Sequence, residues 1–273
     1  MLFSVGFVTN RNRRDATACA DRAEAFFRRN GVQVWKAEPD GFPEKPDLMI
    51  TFGGDGTLLG GAQLAISCGS PLLGINLGTV GFLTEEEPEN LDQALESLLR
   101  GQYTIEQRSL LEAVNVRDGA RSFALNDVVI TRGGYARLIR VEAKVNGEEY
   151  GTFTADGIVV ATPTGSTGYS LSAGGPIVEP GMRCMTITPV CAHSLQHAPC
   201  VASASSEIRL RMRADREQTA ELQVDGMNRG MLKGGDEIRI TGAARPLELI
   251  RLRPYHFFGL VRKKLMEWGS THE

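Results

Sequence analysis

Leu48 to Phe52 form a short apolar run that passes directly into Gly53-Gly54-Asp55-Gly56-Thr57, and a second apolar run, Leu58 to Ile66, follows. A strand with apolar residues on both faces, here broken only by Thr51, reads as buried on both, the habit of parallel strands covered by helices. Glycines let the chain turn sharply, and the run after them reads as a helix whose N-terminus faces the turn. Strand, glycine turn and helix in that order commit this part of the chain to an α/β layer. Its surroundings agree. Leu2 to Val8 reads as a strand, and Ala16, Cys19, Ala20, Ala23, Phe26 and Phe27 recur at helical spacing until Gly31. Val32 to Trp35 and Pro71 to Ile75 read as further strands, and Leu91, Ala94, Leu95, Leu98 and Leu99 form one helical stripe before Gly101.

The texture changes near Tyr103, beyond which alternating stretches separated by turns replace the helical stripes. Asp118-Gly119 and Asn146-Gly147 are signals of type I′ hairpins, which need positive φ at both central residues. Glu207 to Met212, Glu221 to Val224 and Glu237 to Ile240 alternate as half-buried strands do. Phe257, Leu260, Val261, Lys264, Leu265 and Trp268 return to helical spacing at the end. The expected architecture is therefore an α/β, Rossmann-like domain over 1–103, completed by a returning strand and helix in 247–273. A mostly antiparallel, β-sandwich-like domain spans 104–246.

The formal charge of -3 gives no field to gather a polyanion, so nucleic acid is not an expected partner. No apolar run approaches the roughly 18 residues of a membrane helix, so no membrane association is expected. Five cysteines without a CxxC pair suggest neither a disulfide framework nor a zinc ribbon, and the chain is expected in the cytoplasm. Glycine is in excess, 31 of 273 residues, and its placement carries the functional argument.

In the loop Gly53, Gly54, Asp55, Gly56, Thr57, small residues aim backbone N–H groups at one spot ahead of a helix dipole, which favours phosphate. It lacks the Gly-Lys-Ser/Thr of a Walker loop and the spacing of a dinucleotide fingerprint. An acid inside a phosphate cradle repels its ligand unless it accepts a hydroxyl proton, orients that hydroxyl, or holds a metal; a plain helix cap is the alternative. A second segment, Thr162 to Pro176, carries Thr162, Thr164, Ser166, Thr167, Tyr169, Ser170 and Ser172. It reads as a binding loop for a polar ligand, with Tyr169 available to stack on a base, or else as a surface loop. Asn126-Asp127 places an amide beside a carboxyl, able to read a ribose diol, and is also ordinary turn chemistry. His193 and His197 lack the Glu of a zinc motif, and Arg209, Arg211 and Arg213 read as one solvated or inter-subunit strand face.

These segments, with His193-Ser194-Leu195, Asp225-Gly226 and Phe257 to Leu265, resemble the NAD kinase family. The resemblance implies transfer of the terminal phosphate of ATP, or of polyphosphate, to the 2′-hydroxyl of the adenosine ribose of NAD. It also implies Mg²⁺ as divalent metal and a homodimer or homotetramer. By position it implies Asp55 as catalytic residue, and Gly53, Gly54, Gly56 and Thr57 as the phosphate-donor loop. Asp55, Gly56, Asn126, Asp127, Arg137, Thr154, Asp156, Thr164, Thr167, Gly168, Tyr169, Ser170, Leu171 and Ser172 are implied as the NAD contacts. Gly168, Ala192, Ala198 and Met227 depart from the residues common in the family. A lipid kinase and a non-catalytic dinucleotide sensor are the rival readings; the hydroxyl-rich segment disfavours the first and Asp55 the second.

Overall fold

The computed structural model describes residues 2–38, 41–78, 81–84, 86–133, 138–193, 198–214 and 218–270, with side chains to 266. The chain divides into two compact units, Met1–Gln107 with Leu247–Glu273, and Arg108–Pro246.

The first unit is built on a six-stranded sheet in the order Gln33–Lys36, Ser4–Thr9, Leu48–Gly53, Leu72–Asn76, Leu247–Arg251, Thr104–Arg108. Its first four strands pair in parallel. The helix Arg14–Arg29 buries Ala16, Cys19, Ala20, Ala23 and Phe27 along one face, as the spacing predicts. Phe7 lies at the middle of this core, its ring 4.9 Å from that of Phe52 and 6.2 Å from that of Phe27, both edge-on. Gly53 pairs with Asn76, so the glycine loop leaves the carboxyl edge of the sheet, where α/β proteins place ligands. The next helix, Asp55–Cys68, starts at the acid itself, ahead of the apolar run. In the closing helix, Phe257–Ser270, Phe257, Val261 and Lys264 are buried, whereas Leu265 is 47% exposed. Positions 257, 261 and 264 complete the inward row, which turns Leu265 outward and corrects its place in the predicted stripe.

The second unit holds two antiparallel six-stranded sheets. One runs Glu148–Ala155, Ile139–Val145, Ile208–Met212, Glu237–Gly242, Leu111–Asn115, Arg121–Ala124; the other runs Cys200–Ser203, Cys184–Val190, Gly157–Ala161, Asp127–Arg132, Thr219–Val224, Met227–Lys233. Alternate residues of both, among them Val128, Ile130, Ile158, Val160, Val141, Leu210 and Ile240, make a single core. Val129, Val159, Ala161 and Val190 point the other way and are buried too, with Ala173 packed on them. These strands therefore lack a solvated face, and the segment after Ala161 helps to cover it.

Asn146 (φ 53°) and Gly147 (φ 84°) make the expected tight hairpin. Asp118-Gly119 does not: only Gly119 has positive φ, and four residues intervene between the bonded pair Asn115 and Ala120, so the connection is a longer loop. A second two-residue turn with positive φ at both positions is Asp225 (50°) and Gly226 (76°), joining Thr219–Val224 to Met227–Lys233.

Because Phe7 is wholly enclosed by the first core, Phe7→Ala is expected to cost about 3–5 kcal/mol of stability, read by chemical denaturation.

Candidate functional site

In the first unit the Asp55 carboxylate is turned into the backbone after the strand Leu72–Asn76. Its Oδ2 accepts from the N–H of Phe82 at 2.8 Å, and its Oδ1 accepts from the N–H groups of Leu83 and Thr84 at 3.2 Å each and from the Thr84 hydroxyl at 3.3 Å. The charge of Asp55, at the head of the glycine loop, therefore faces amide dipoles from another segment of the chain. Gly81 must be glycine for the same reason, since a Cβ there would lie 2.7 Å from the Asp55 Cγ and collide with both carboxylate and Thr84 hydroxyl. Gly53 is likewise constrained, because Thr57 folds back over it and its Cβ would lie 2.7 Å from that of Thr57. Gly54 and Gly56 are different, with nothing within 4 Å of an added Cβ, as is Gly60 one turn further on. Gly54 is the N-cap of the helix and its carbonyl accepts from the Thr57 and Leu58 amides at 2.9 and 3.1 Å, which leaves the amides of Asp55 and Gly56 without an acceptor in their own helix.

In the second unit the segment 125–127 has every backbone polar group paired. The Asp225 carboxylate accepts from the N–H of Leu125 at 2.8 Å, Asn126 at 2.7 Å and Asp127 at 3.1 Å. The Thr162 hydroxyl donates to the Leu125 carbonyl at 2.6 Å, the Thr162 N–H to the Asn126 carbonyl at 2.8 Å, and the Asp225 N–H to the Asp127 carbonyl at 3.0 Å. The two side chains are not satisfied in this way. Asn126 Oδ1 is buried without a hydrogen-bond partner, and no hydrogen bond reaches the Asp127 carboxyl among the described residues, although Asp127 is 6% exposed. Burial, and then the like charge of Asp225, push the Asp127 carboxyl up to about 7.

The hydroxyl-rich segment is a buried, internally bonded cap and not a loose surface loop. It forms a 3₁₀ turn, Gly165–Thr167, and a short helix, Tyr169–Ser172. Ser166 bonds Pro163 and Val178, Thr167 bonds the Thr164 carbonyl, Thr164 accepts from Arg108, and Ser170 reaches Thr188 at 2.9 Å. A Cβ at Gly165 would lie 2.6 Å from the Asn126 Cα, so glycine alone permits the close approach to Asn126. Gly168 looks onto the pair, with the Asn126 Nδ2 at 3.7 Å and the Asp127 Oδ2 at 3.9 Å from an added Cβ. Of the remaining expected contacts, Tyr169 and Ser172 are exposed, and Thr154, Asp156 and Leu171 are half-buried. Asp156 is ion-paired to Arg132 at 2.8 Å, and the Thr154 carbonyl accepts from the His193 N–H at 2.9 Å. Burial, then the negative fields of Cys191, Asp156 and Asp127, push the Tyr169 phenol above its usual range. Arg137 and His197 lie outside the described residues.

Sequence reasoning passed over two parts of this arrangement. The segment Phe82 to Thr84 receives Asp55, and its signal was a second glycine cluster, Gly74, Gly78 and Gly81, after a strand. Asp225 was named only within the family resemblance and given no role; its signal was a tight Asp-Gly hairpin. Among the described residues no group of three His, Cys, Asp or Glu side chains is placed to hold a metal ion.

The chain is similar to known proteins along most of its length. The family model of the ATP-NAD kinase N-terminal domain matches residues 40–103, and that of the ATP-NAD kinase C-terminal domain matches residues 125–252. The NAD kinase of Moorella thermoacetica is 43% identical over 253 residues, covering 89% of this chain and 81% of that protein. That of Syntrophotalea carbinolica is 38% identical, covering 97% and 99%. Among solved structures, yeast NADH kinase complexed with NADH superposes with a TM-score of 0.81 at 26% identity, over 92% of this chain and 83% of that one. An Archaeoglobus fulgidus NAD kinase in complex with ATP gives 0.72 at 28% identity, over 91% and 93%.

Two stability measurements follow from the geometry. Gly81→Ala is expected to cost about 1–3 kcal/mol by overpacking, whereas Gly56→Ala, at an open helical position, should be neutral or stabilising by up to about 1 kcal/mol in the same denaturation assay. Asp127 is protonated in the folded protein up to about 7 and ionises from 3.8 when unfolded, so its burial weighs against folding increasingly as pH rises through that window. Asp127→Asn should therefore gain on the parent from about pH 4, levelling off above about pH 7 at an advantage on the order of 2–4 kcal/mol.

Proposed function

The chain belongs to the NAD kinase family and phosphorylates NAD from ATP, and from that premise we propose that Asp55 orients the 2′-hydroxyl that receives the phosphate. The observation that carries this reading is the division of labour within its carboxylate. Oδ1 is committed to three donors, while Oδ2 accepts one and keeps a lone pair for an incoming hydroxyl. Phosphoryl transfer leaves the protein little covalent work, so placing the acceptor oxygen in line is the main task, and the proton passes to Asp55 late. The amides of Asp55 and Gly56 at the start of the helix Asp55–Cys68, beside glycines with open space where a side chain would stand, are assigned to the donor phosphates.

The acceptor is assigned to the second unit. Asn126 and Asp127 present the unsatisfied amide oxygen and carboxyl to a ribose, and Tyr169 presents an aromatic face 41% exposed. Thr154, Asp156, Gly168, Leu171 and Ser172 complete the proposed contacts, with Arg137. Thr164, Thr167 and Ser170 serve by shape, because their hydroxyls are already bonded within the unit. A metal ion caged by the protein does not fit the described residues, which bring no three ligating side chains together. Mg²⁺ therefore enters this reading with ATP, as part of the donor substrate. We further infer a cytoplasmic homo-oligomer. Five free thiols support the compartment, and Val201 (56% exposed) and Met231 (45% exposed), on the two edge strands of one sheet, support self-association.

Incubation of the pure protein with ATP, Mg²⁺ and either NAD or a diacylglycerol, followed by assay of NADP and phosphatidate, tests the acceptor. NADP alone is expected. Asp55→Asn should bind NAD within a few-fold of the parent while turnover falls by about 10² to 10⁴; an unchanged turnover number would remove Asp55 from this role.

A further inference from the structure

The backbone around Asn126 is held by an acid 99 residues away. Asp225 stands in the tight hairpin beyond Val224, which pairs with Val128, so the sheet register itself brings its carboxylate alongside residues 125–127. Its Oδ2 takes the N–H of Leu125 and its Oδ1 those of Asn126 and Asp127. No other described side chain reaches these three amides.

We propose that Asp225 is a positioning residue for the dinucleotide: by gripping three successive amides it fixes the backbone that carries the Asn126 amide and the Asp127 carboxyl. The inference rests on the reading that Asn126 and Asp127 bind NAD. Three N–H donors stabilise negative charge on Asp225. Asp127, buried beside that charge and without donors of its own, therefore holds its proton up to about neutral pH. A protonated carboxyl donates and accepts, whereas an ionised one only accepts. Next to an amide it presents the complement of a ribose diol. The ionisable groups around Asp127 among the described residues are Asp225 from the hairpin and the Tyr169 phenol from the short helix, which itself faces Cys191 and Asp156.

The test is the KM for NAD and for ATP from about pH 5.5 to about pH 8.5 in the parent enzyme, Asp127→Asn and Asp225→Asn, with thermal melts to confirm folding. In the parent, KM for NAD is expected to break near neutral pH while KM for ATP does not. Asp127→Asn should remove the break. Asp225→Asn should move it to lower pH and raise KM for NAD about tenfold, the loss of roughly one good hydrogen bond. A raised KM with the break unmoved would reduce Asp225 to a structural residue and overturn the proposal, as would parental values throughout. If Asp127→Asn behaves as the parent, the parent reading of Asn126 and Asp127 fails instead. Should Asp225→Asn not fold, Asp225→Glu, which keeps the charge and misplaces it, decides the point: a raised KM for NAD with KM for ATP unchanged supports the proposal, and a parental KM for NAD overturns it.

Discussion

In each unit the arrangement depends on one carboxylate that accepts three successive backbone amides from a segment distant in sequence. Asp55 takes those of Phe82, Leu83 and Thr84; Asp225 takes those of Leu125, Asn126 and Asp127. Charge-assisted hydrogen bonds of this kind are about twice as strong as neutral ones, and three converging on one group fix direction as well as position. The consequences differ because the partners differ. In the first unit the acid is the proposed reactive group and the amides aim it. In the second the acid is the clamp, and the side chains on the clamped backbone are the proposed reading heads.

Glycine enforces both arrangements through contact more than through unusual dihedrals. Gly81 and Gly165 have ordinary φ, yet a methyl group at either would strike the Asp55 carboxylate or the Asn126 backbone. Gly54 and Gly56 touch nothing, and at Gly56, inside a helix, alanine would be the better residue for stability by up to about 1 kcal/mol.

Much of this was legible in the sequence wherever a local pattern carried it. The face of Ala16, Cys19, Ala20, Ala23 and Phe27 packs as its spacing demands, and Asn146-Gly147 turns as its dipeptide demands. Where pattern failed, the cause is physical. The first turn of Asp55–Cys68 has no apolar residue until Leu58, so periodicity cannot see the helix begin. Asp118-Gly119 has the same dipeptide chemistry as Asn146-Gly147, but the pairing of Val114 with Arg121 leaves too many residues for a two-residue turn. A count of hydroxyls between Thr162 and Ser172 could not say which way they point, because a serine or threonine satisfied by a carbonyl of its own turn reads the same as one awaiting a ligand.

Those inward hydroxyls complete the logic of the second unit. Thr162 binds the carbonyls of Leu125 and Asn126 from one side while Asp225 binds the amides from the other, and the Asp225 amide closes the Asp127 carbonyl. All six backbone groups of residues 125–127 are thus consumed within the protein. A buried polar atom left unpaired costs about 1–3 kcal/mol, and the Asn126 amide oxygen carries that cost here without any competing backbone claim on it. The fold meets every hydrogen-bonding demand of the scaffold and withholds satisfaction from the two side chains it displays. A ligand that supplies a donor to Asn126 and an acceptor to Asp127 would relieve the deficit and an apolar one would deepen it, which is how the proposed acceptor site would favour a sugar.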